Sequence, residues 1–186
     1  MSYDLGQIKR WLGTGSINLF GRPFAGKDTQ GRKLAELFNA PILGGGDILR
    51  GAGMPESIKA IMTSGELIPT KDYLELVLPY LHQSEFVGKP LILSSVGRWH
   101  GEEAGVLEAT AAASHPLRAA IYLKASESTI RKRQLASQKL GDRGRRADDN
   151  KLQIRLEEFE NKTLPVISFY RDEGLLIEVD ANQPPD

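Results

Sequence analysis

The chain has no cysteine in its 186 residues. That excludes disulfides and thiolate metal centres, and it agrees with a reducing compartment, for which the cytoplasm is the expectation. Net charge is missing as well. The 24 Lys and Arg balance the 24 Asp and Glu, so no overall field draws nucleic acid or an anionic membrane, and an anion site has to be built locally. No apolar run reaches the roughly 18 residues of a membrane-spanning helix, and no charged-then-apolar leader is evident. Internal repeats and low-complexity tracts are absent too. What remains is a soluble chain of a length that suits one well-cored domain, with a small-molecule ligand favoured over a polymer.

Apolar runs alternate with helical stripes, which predicts an α/β fold on a largely parallel sheet. The expected strands are residues 16–20, 41–43, 91–95, 119–124 and 175–179. Helices are expected at 27–38, 56–64, 71–83, 102–114, 126–139 and 150–171, with Thr70 and Ser126 as N-caps. Ahead of the first strand, Leu5, Ile8, Trp11 and Leu12 form an amphipathic stripe with a packing role. At the other end Asn182 to Asp186, with two prolines, reads as a frayed tail.

The most informative stretch is Gly21-Arg22-Pro23-Phe24-Ala25-Gly26-Lys27-Asp28-Thr29-Gln30, directly after the apolar run Ile17-Asn18-Leu19-Phe20. Its spacing is GxxxxGK. Two glycines let the backbone wrap with its N–H groups turned inward, and the lysine that follows reaches terminal phosphates. Leu34, Leu37 and Phe38 then mark one stripe of a helix whose N-terminus favours an anion. Asp28 stands where the general pattern has a Ser or Thr hydroxyl for magnesium, although Thr29 follows at once. A second charged stretch, 141–150, crowds arginines and aspartates between glycines. Such a run is either solvated or faces a charged ligand, and its glycines suit a lid that keeps water from a phosphoryl group.

These stretches resemble, in order, the motifs of the adenylate kinase family of nucleoside monophosphate kinases, over nearly all of the chain after Ile17. The family's GxPGxGKGTQ loop is similar to Gly21 through Gln30, and its TGDxLR segment to Gly45-Gly46-Asp47-Ile48-Leu49-Arg50. Its GxLVP segment resembles Gly65-Glu66-Leu67-Ile68-Pro69, and its DGFPR resembles Ser94-Ser95-Val96-Gly97-Arg98. The lid-edge GRxDD is similar to Arg145-Arg146-Ala147-Asp148-Asp149, and the helix that follows also looks like the family's. The resemblance implies a three-layer P-loop kinase fold with five parallel strands, a monophosphate-binding arm at about residues 45–75 and a short lid at about 139–149 without a zinc module.

It also implies an activity: reversible transfer of the γ-phosphoryl of ATP, with Mg2+, to a nucleoside monophosphate, AMP being the first expectation. Lys27 would hold the β- and γ-phosphates, and residues Gly21, Arg22, Pro23, Phe24, Ala25, Gly26, Asp28 and Thr29 would cradle them. Arg50 and Arg98 would grip the acceptor phosphate, and Arg133 would stack on the donor base. Arg146 and Arg155 would neutralise charge on the migrating group, while Gly45, Gly65, Leu67 and Ile68 would line the acceptor base pocket. Arginine suits such work because its planar fork makes two hydrogen bonds to phosphate and stays charged. A monomer is expected, with no nucleic-acid or membrane partner.

Several residues depart from the family's pattern. Phe24 replaces a loop glycine, and Ser94 replaces the acid that closes the third strand. Asp28 could supply the lost negative charge near magnesium, or simply cap the loop helix. Gly45 stands in place of a threonine, and Glu102 in place of a glutamine that meets the acceptor base. A carboxylate only accepts hydrogen bonds, so Glu102 would suit a base edge rich in N–H donors, such as guanine; alternatively it begins a helix. Kinases of another nucleotide (GMP, UMP, CMP or a deoxynucleotide), or a nucleotide sensor or assembly factor with weak turnover, stay open beside the AMP reading.

Overall fold

The computed structural model describes residues 4–45, 60, 61, 64, 78–139 and 151–184. Arg50, Leu67, Ile68, Arg146, Thr70, Gly65, the 141–150 stretch and most of the expected 56–64 helix lie outside the described residues.

Five strands build one sheet: β1 (Ser16–Gly21), β2 (Ile42–Gly44), β3 (Leu91–Ser94), β4 (Leu117–Lys124) and β5 (Leu176–Asp180). They run in the order β2-β3-β1-β4-β5, and every pairing is parallel. Parallel neighbours need crossovers, and helices cover both faces as a result. Among the described residues, the α-helices with defined bounds are α1 (Leu5–Leu12), α2 (Lys27–Phe38), α3 (Glu103–Ala112), α4 (Glu127–Lys139), α5 (Leu152–Glu158) and α6 (Leu164–Asp172).

Central β1 is buried along its whole length. Its alternation splits the core into two layers. Ile17 and Leu19 join Leu12 and Ile92 under Leu34, Ala35 and Phe38 of α2. On the opposite face Phe20 meets Leu117, Ala120, Val166, Ile167 and Tyr170. Gly31 lets α2 come close: a Cβ there would lie 2.6 Å from Ile42 Cδ1.

All five expected strands are present with ends moved by one or two residues, and α2 has the expected bounds. Other expectations need correction. Leu37 is 43% exposed, because the α2 stripe that meets the sheet is Leu34, Ala35 and Phe38. In α1 only Leu12 is buried, and Trp11 is 48% exposed. Within the expected 71–83 helix, the described part is a 3-10 helix, Leu78–His82, containing Pro79, which has no N–H to donate to a helix ladder. The expected 150–171 helix is interrupted by a π-helical turn, Phe159–Thr163, between α5 and α6. Pro165 follows at once, and its ring would clash with the carbonyl of Asn161 in a regular α-turn, so the wider turn makes room.

Nor is the tail frayed where it leaves β5. Asn182 Oδ1 accepts from the Ser126 amide at 2.8 Å and from Thr129 Oγ1 at 3.0 Å, and Arg133 donates to Ala181 O and Gln183 O. Ser126 caps α4 as expected, its Oγ accepting from the Thr129 amide at 3.2 Å.

Candidate active site

The loop after β1 turns by two left-handed residues. Gly26 at φ 103° is one, and it leads directly into α2. Phe24 at φ 60° is the other, in a region that costs a side-chain-bearing residue about 1–2 kcal/mol. Two things hold it there. Arg133 Nη1 donates to Phe24 O at 3.3 Å and Ala25 O at 3.0 Å, and the Phe24 ring packs on the cluster of Ala25, Leu123, Ala125, Ile130, Leu152 and Leu156. At the start of the loop, a Cβ on Gly21 would lie 3.0 Å from Leu123 O and 3.1 Å from Ala25 Cβ, so the backbone closes over β4 only with glycine there.

Lys27 folds back over this loop, its Nζ donating to Gly21 O at 2.8 Å and Arg22 O at 3.3 Å. The ammonium is thereby held at the mouth of the wrapped backbone. Asp28 and Thr29 occupy the first turn of α2, where the helix dipole favours an acid. Arg22, within the loop, reaches the other way: its Nη2 donates to Glu160 Oε1 at 2.7 Å on the π-helical turn. Pro23 is buried. Helix α5 is seated on the same loop through Leu152 and Leu156, and it carries Arg155.

The second half of the site is the turn after β3. Ser94 closes the strand next to Leu19 in the register of β1. Ser95 (φ 55°) donates its amide to Leu19 O at 2.9 Å, and Val96 exchanges two hydrogen bonds with Asn18, at 2.7 and 3.2 Å. Gly97 (φ 70°) has no room for a side chain: a Cβ would lie 2.5 Å from Val106 Cγ2. Arg98 then emerges exposed at the apex. Gly45, buried, follows β2 at the neighbouring sheet edge.

Glu102 stands at the start of α3, one of the two placements that the sequence allows. It is 2% exposed, and its Oε2 accepts from the amides of Arg98 at 2.8 Å and Trp99 at 3.0 Å. Its Oε2 is thus committed to the Arg98 turn, where two amide donors offset the cost of burying it. Burial still pushes its pKa up to about 7, against the pull of those amides and of the Arg98 charge. Glu103, also buried, accepts from the Gly101 amide at 2.7 Å and pairs with His100 at 3.0 Å. Asn18 was missed by sequence reasoning. Asn18 did leave a signal: an amide side chain inside an otherwise apolar central strand needs a buried partner.

The donor loop and the Arg98 turn stand side by side at the carboxyl ends of β1 and β3, where open parallel sheets bind their ligands. With that geometry in view, the comparisons with known proteins are direct. The family described as adenylate kinase matches residues 19–175. The chain belongs to the adenylate kinase family. Among its relatives, the adenylate kinase of Parasynechococcus marenigrum (strain WH8102) is 36% identical over 177 residues, covering 87% of each chain. That of Cyanothece sp. (strain PCC 7425) is 30% identical over 173 residues, 89% of this chain and 87% of its own. That of Methylobacterium radiotolerans is 31% identical over 180 residues, 91% of this chain and 90% of its own. As an adenylate kinase family member the chain is a phosphotransferase, and its five-stranded parallel sheet is the expected kinase fold. Among the described residues no helix is long and apolar enough to cross a membrane.

Proposed function

We propose that the protein transfers the γ-phosphoryl of ATP to AMP, giving two ADP. The observation that carries this reading is the juxtaposition just described: a phosphate loop with its lysine on β1, and a separately built arginine turn on the adjacent β3. A nucleotide sensor needs one phosphate grip, whereas transfer between two nucleotides needs two, aimed at each other.

Phosphoryl transfer asks the protein for in-line placement and for positive charge around the equatorial oxygens, with little covalent chemistry. On this reading a nucleotide displaces Lys27 Nζ from the carbonyls of Gly21 and Arg22, and the ammonium moves onto the β- and γ-phosphates while the loop amides and the α2 N-terminus surround them. Arg98, together with Arg50, holds the acceptor phosphate. Arg155 and Arg146 bring further positive charge to the migrating group. Arg133 commits its guanidinium edge to four backbone carbonyls, which keeps the planar face as the part that can stack on the donor base. Gly45, Leu67 and Ile68 line the pocket of the acceptor base.

Magnesium on a nucleotide takes only one or two protein oxygens besides the phosphates. Asp28 and Thr29 present a carboxylate and a hydroxyl at the phosphate end of α2, a hard-oxygen pair that fits such an ion. When bound, the ion would offset charge on the phosphates. We take Asp28 to replace the acid missing at Ser94, and the protein to act as a cytoplasmic monomer.

A coupled assay of the purified protein with ATP, Mg2+ and each of AMP, GMP, CMP, UMP and the deoxynucleotides tests the reading. AMP is expected to give the highest kcat/KM. Tight ATP binding without turnover of any acceptor would overturn it in favour of a sensor.

A further inference from the structure

Two adjacent buried acids lie under the acceptor turn, and between them they occupy three backbone amides: Arg98 and Trp99 through Glu102, and Gly101 through Glu103. A surface turn would hydrogen-bond such amides to water. Here they are held from beneath by α3, whose first residue is Glu103 and whose Val106 blocks any side chain on Gly97. On the far side the buried ring of Tyr170 from α6 packs near the pair, and burial together with the negative charge of Glu103 and Glu102 pushes its hydroxyl pKa up. Lys162 of the π-helical turn sits 4.1 Å from the centroid of the Trp99 ring and pairs with Glu158 at 2.8 Å. The turn is therefore clamped below by carboxylates and at its side by a cation.

From this geometry we infer that Glu102 is a positioning residue for acceptor binding: it fixes the backbone from which Arg98 projects and makes no hydrogen bond to the acceptor base. The inference rests on the kinase reading above, and it goes further by assigning the base preference to residues other than Glu102. A charged carboxylate holds amides more strongly than its neutral acid. Because its pKa lies near 7, the clamp weakens as pH falls through that value. Among the described residues, the groups that face Glu102 are Arg98 and Glu103 on its own turn and helix and Tyr170 from α6, with His100 paired to Glu103.

The test is steady-state kinetics of the wild type and E102Q with AMP and with GMP, from about pH 6 to pH 8.5. In E102Q at pH 8 the acceptor KM is expected to rise roughly fivefold, with kcat and the KM for ATP within about twofold of wild type, and the AMP-to-GMP ratio of kcat/KM unchanged within about threefold. The wild-type acceptor KM should rise below pH 7, and that rise should be absent from E102Q. A change in the AMP-to-GMP ratio beyond tenfold would make Glu102 a base-reading residue and overturn the inference, as would an unchanged acceptor KM.

A second readout needs neither folding of E102Q nor turnover. The chain has two tryptophans, so W11F leaves Trp99 as the sole indole reporter on the clamped turn. With H100Q added to remove the neighbouring imidazole, its fluorescence should titrate with a midpoint near pH 7, following Glu102 on the Trp99 amide. A flat signal across the range would overturn the clamp whatever the enzyme phosphorylates, and a clear midpoint in a protein without turnover would refute the kinase reading while leaving the clamp intact.

Discussion

On the reading proposed above, the donor loop and the acceptor turn share one job, holding a phosphate, and they are built for it by opposite means. The donor loop is a strained stretch of backbone whose two left-handed residues, Phe24 and Gly26, are braced from outside by Arg133 carbonyl contacts and an apolar cluster. In the acceptor turn, buried polar side chains, Asn18, Glu102 and Glu103, bond directly to the turn's own amides and carbonyls. On that reading the first arrangement binds with its backbone, whereas the second commits amides to buried carboxylates and offers a side chain instead. A loop that binds with its backbone tolerates many side chains, whereas a turn that binds with an arginine depends on what lies beneath it.

Substitutions should separate the two halves. The largest effect belongs to Lys27, whose Nζ is the one loop group that must leave its resting contacts: K27M should lower kcat/KM about a thousandfold with little change in thermal midpoint, and a loss below tenfold would contradict its role. Next comes G97A, which combines a left-handed φ with a Cβ 2.5 Å from Val106 Cγ2. It should cost roughly 3 kcal/mol in a urea titration and weaken AMP more than ATP. N18A leaves both Val96 groups unpaired and should cost roughly 2–3 kcal/mol, read as a thermal midpoint lower by roughly 5–10 °C, with the acceptor KM again the more affected. If either variant damaged ATP binding first, the two halves would be one unit and the contrast would fail.

Smaller effects sharpen the contrast. Glu102 has its folded pKa at about 7, above its ordinary 4.5, so between those values the native protein keeps a proton that the unfolded chain has released. Its contribution to stability is therefore full below about pH 4.5 and is lost as pH rises through about 7, on the order of 2 kcal/mol between about pH 5.5 and pH 7.5. Denaturant titrations of the wild type should show this slope, and those of E102Q should lack it. Least of all, F24G removes backbone strain of about 1–2 kcal/mol and a half-buried ring worth a similar amount, so stability should move by less than about 1 kcal/mol. A large loss would mean that the ring, and not the backbone, shapes the donor loop.

The same contrast explains what was legible in the sequence. The strand–loop–helix frame of the donor loop was legible because its determinants are local: glycines, lysine and the helix start all fall within ten residues. Strand positions and the face of α2 followed from alternation and helical period, with Leu37 misplaced because a stripe of 34, 37 and 38 and one of 34, 35 and 38 differ by little in angle. The acceptor turn was read only at Arg98. Its supports come from far along the chain, Asn18 being 78 residues from Val96, and no spacing rule links them. Glu102 was legible as a helix start but not as a partner of the Arg98 turn, because a carboxylate at a helix start has the same sequence signature whether it faces solvent, a ligand or the turn before it.

The bonds from Asn18 and Leu19 to Val96 and Ser95 have a consequence for motion. Both phosphate grips hang from β1, the donor loop by chain continuity and the acceptor turn by these bonds, while β3 lies one strand spacing away, about 4.8 Å. A fluctuation that displaces β1 therefore carries both grips in the same direction. Their separation should be the quietest coordinate of the site even when each grip drifts relative to the outer helices. Correlated nuclear relaxation of the backbone amides of Ala25 and Val96 would read that shared displacement, and N18A should decouple the pair.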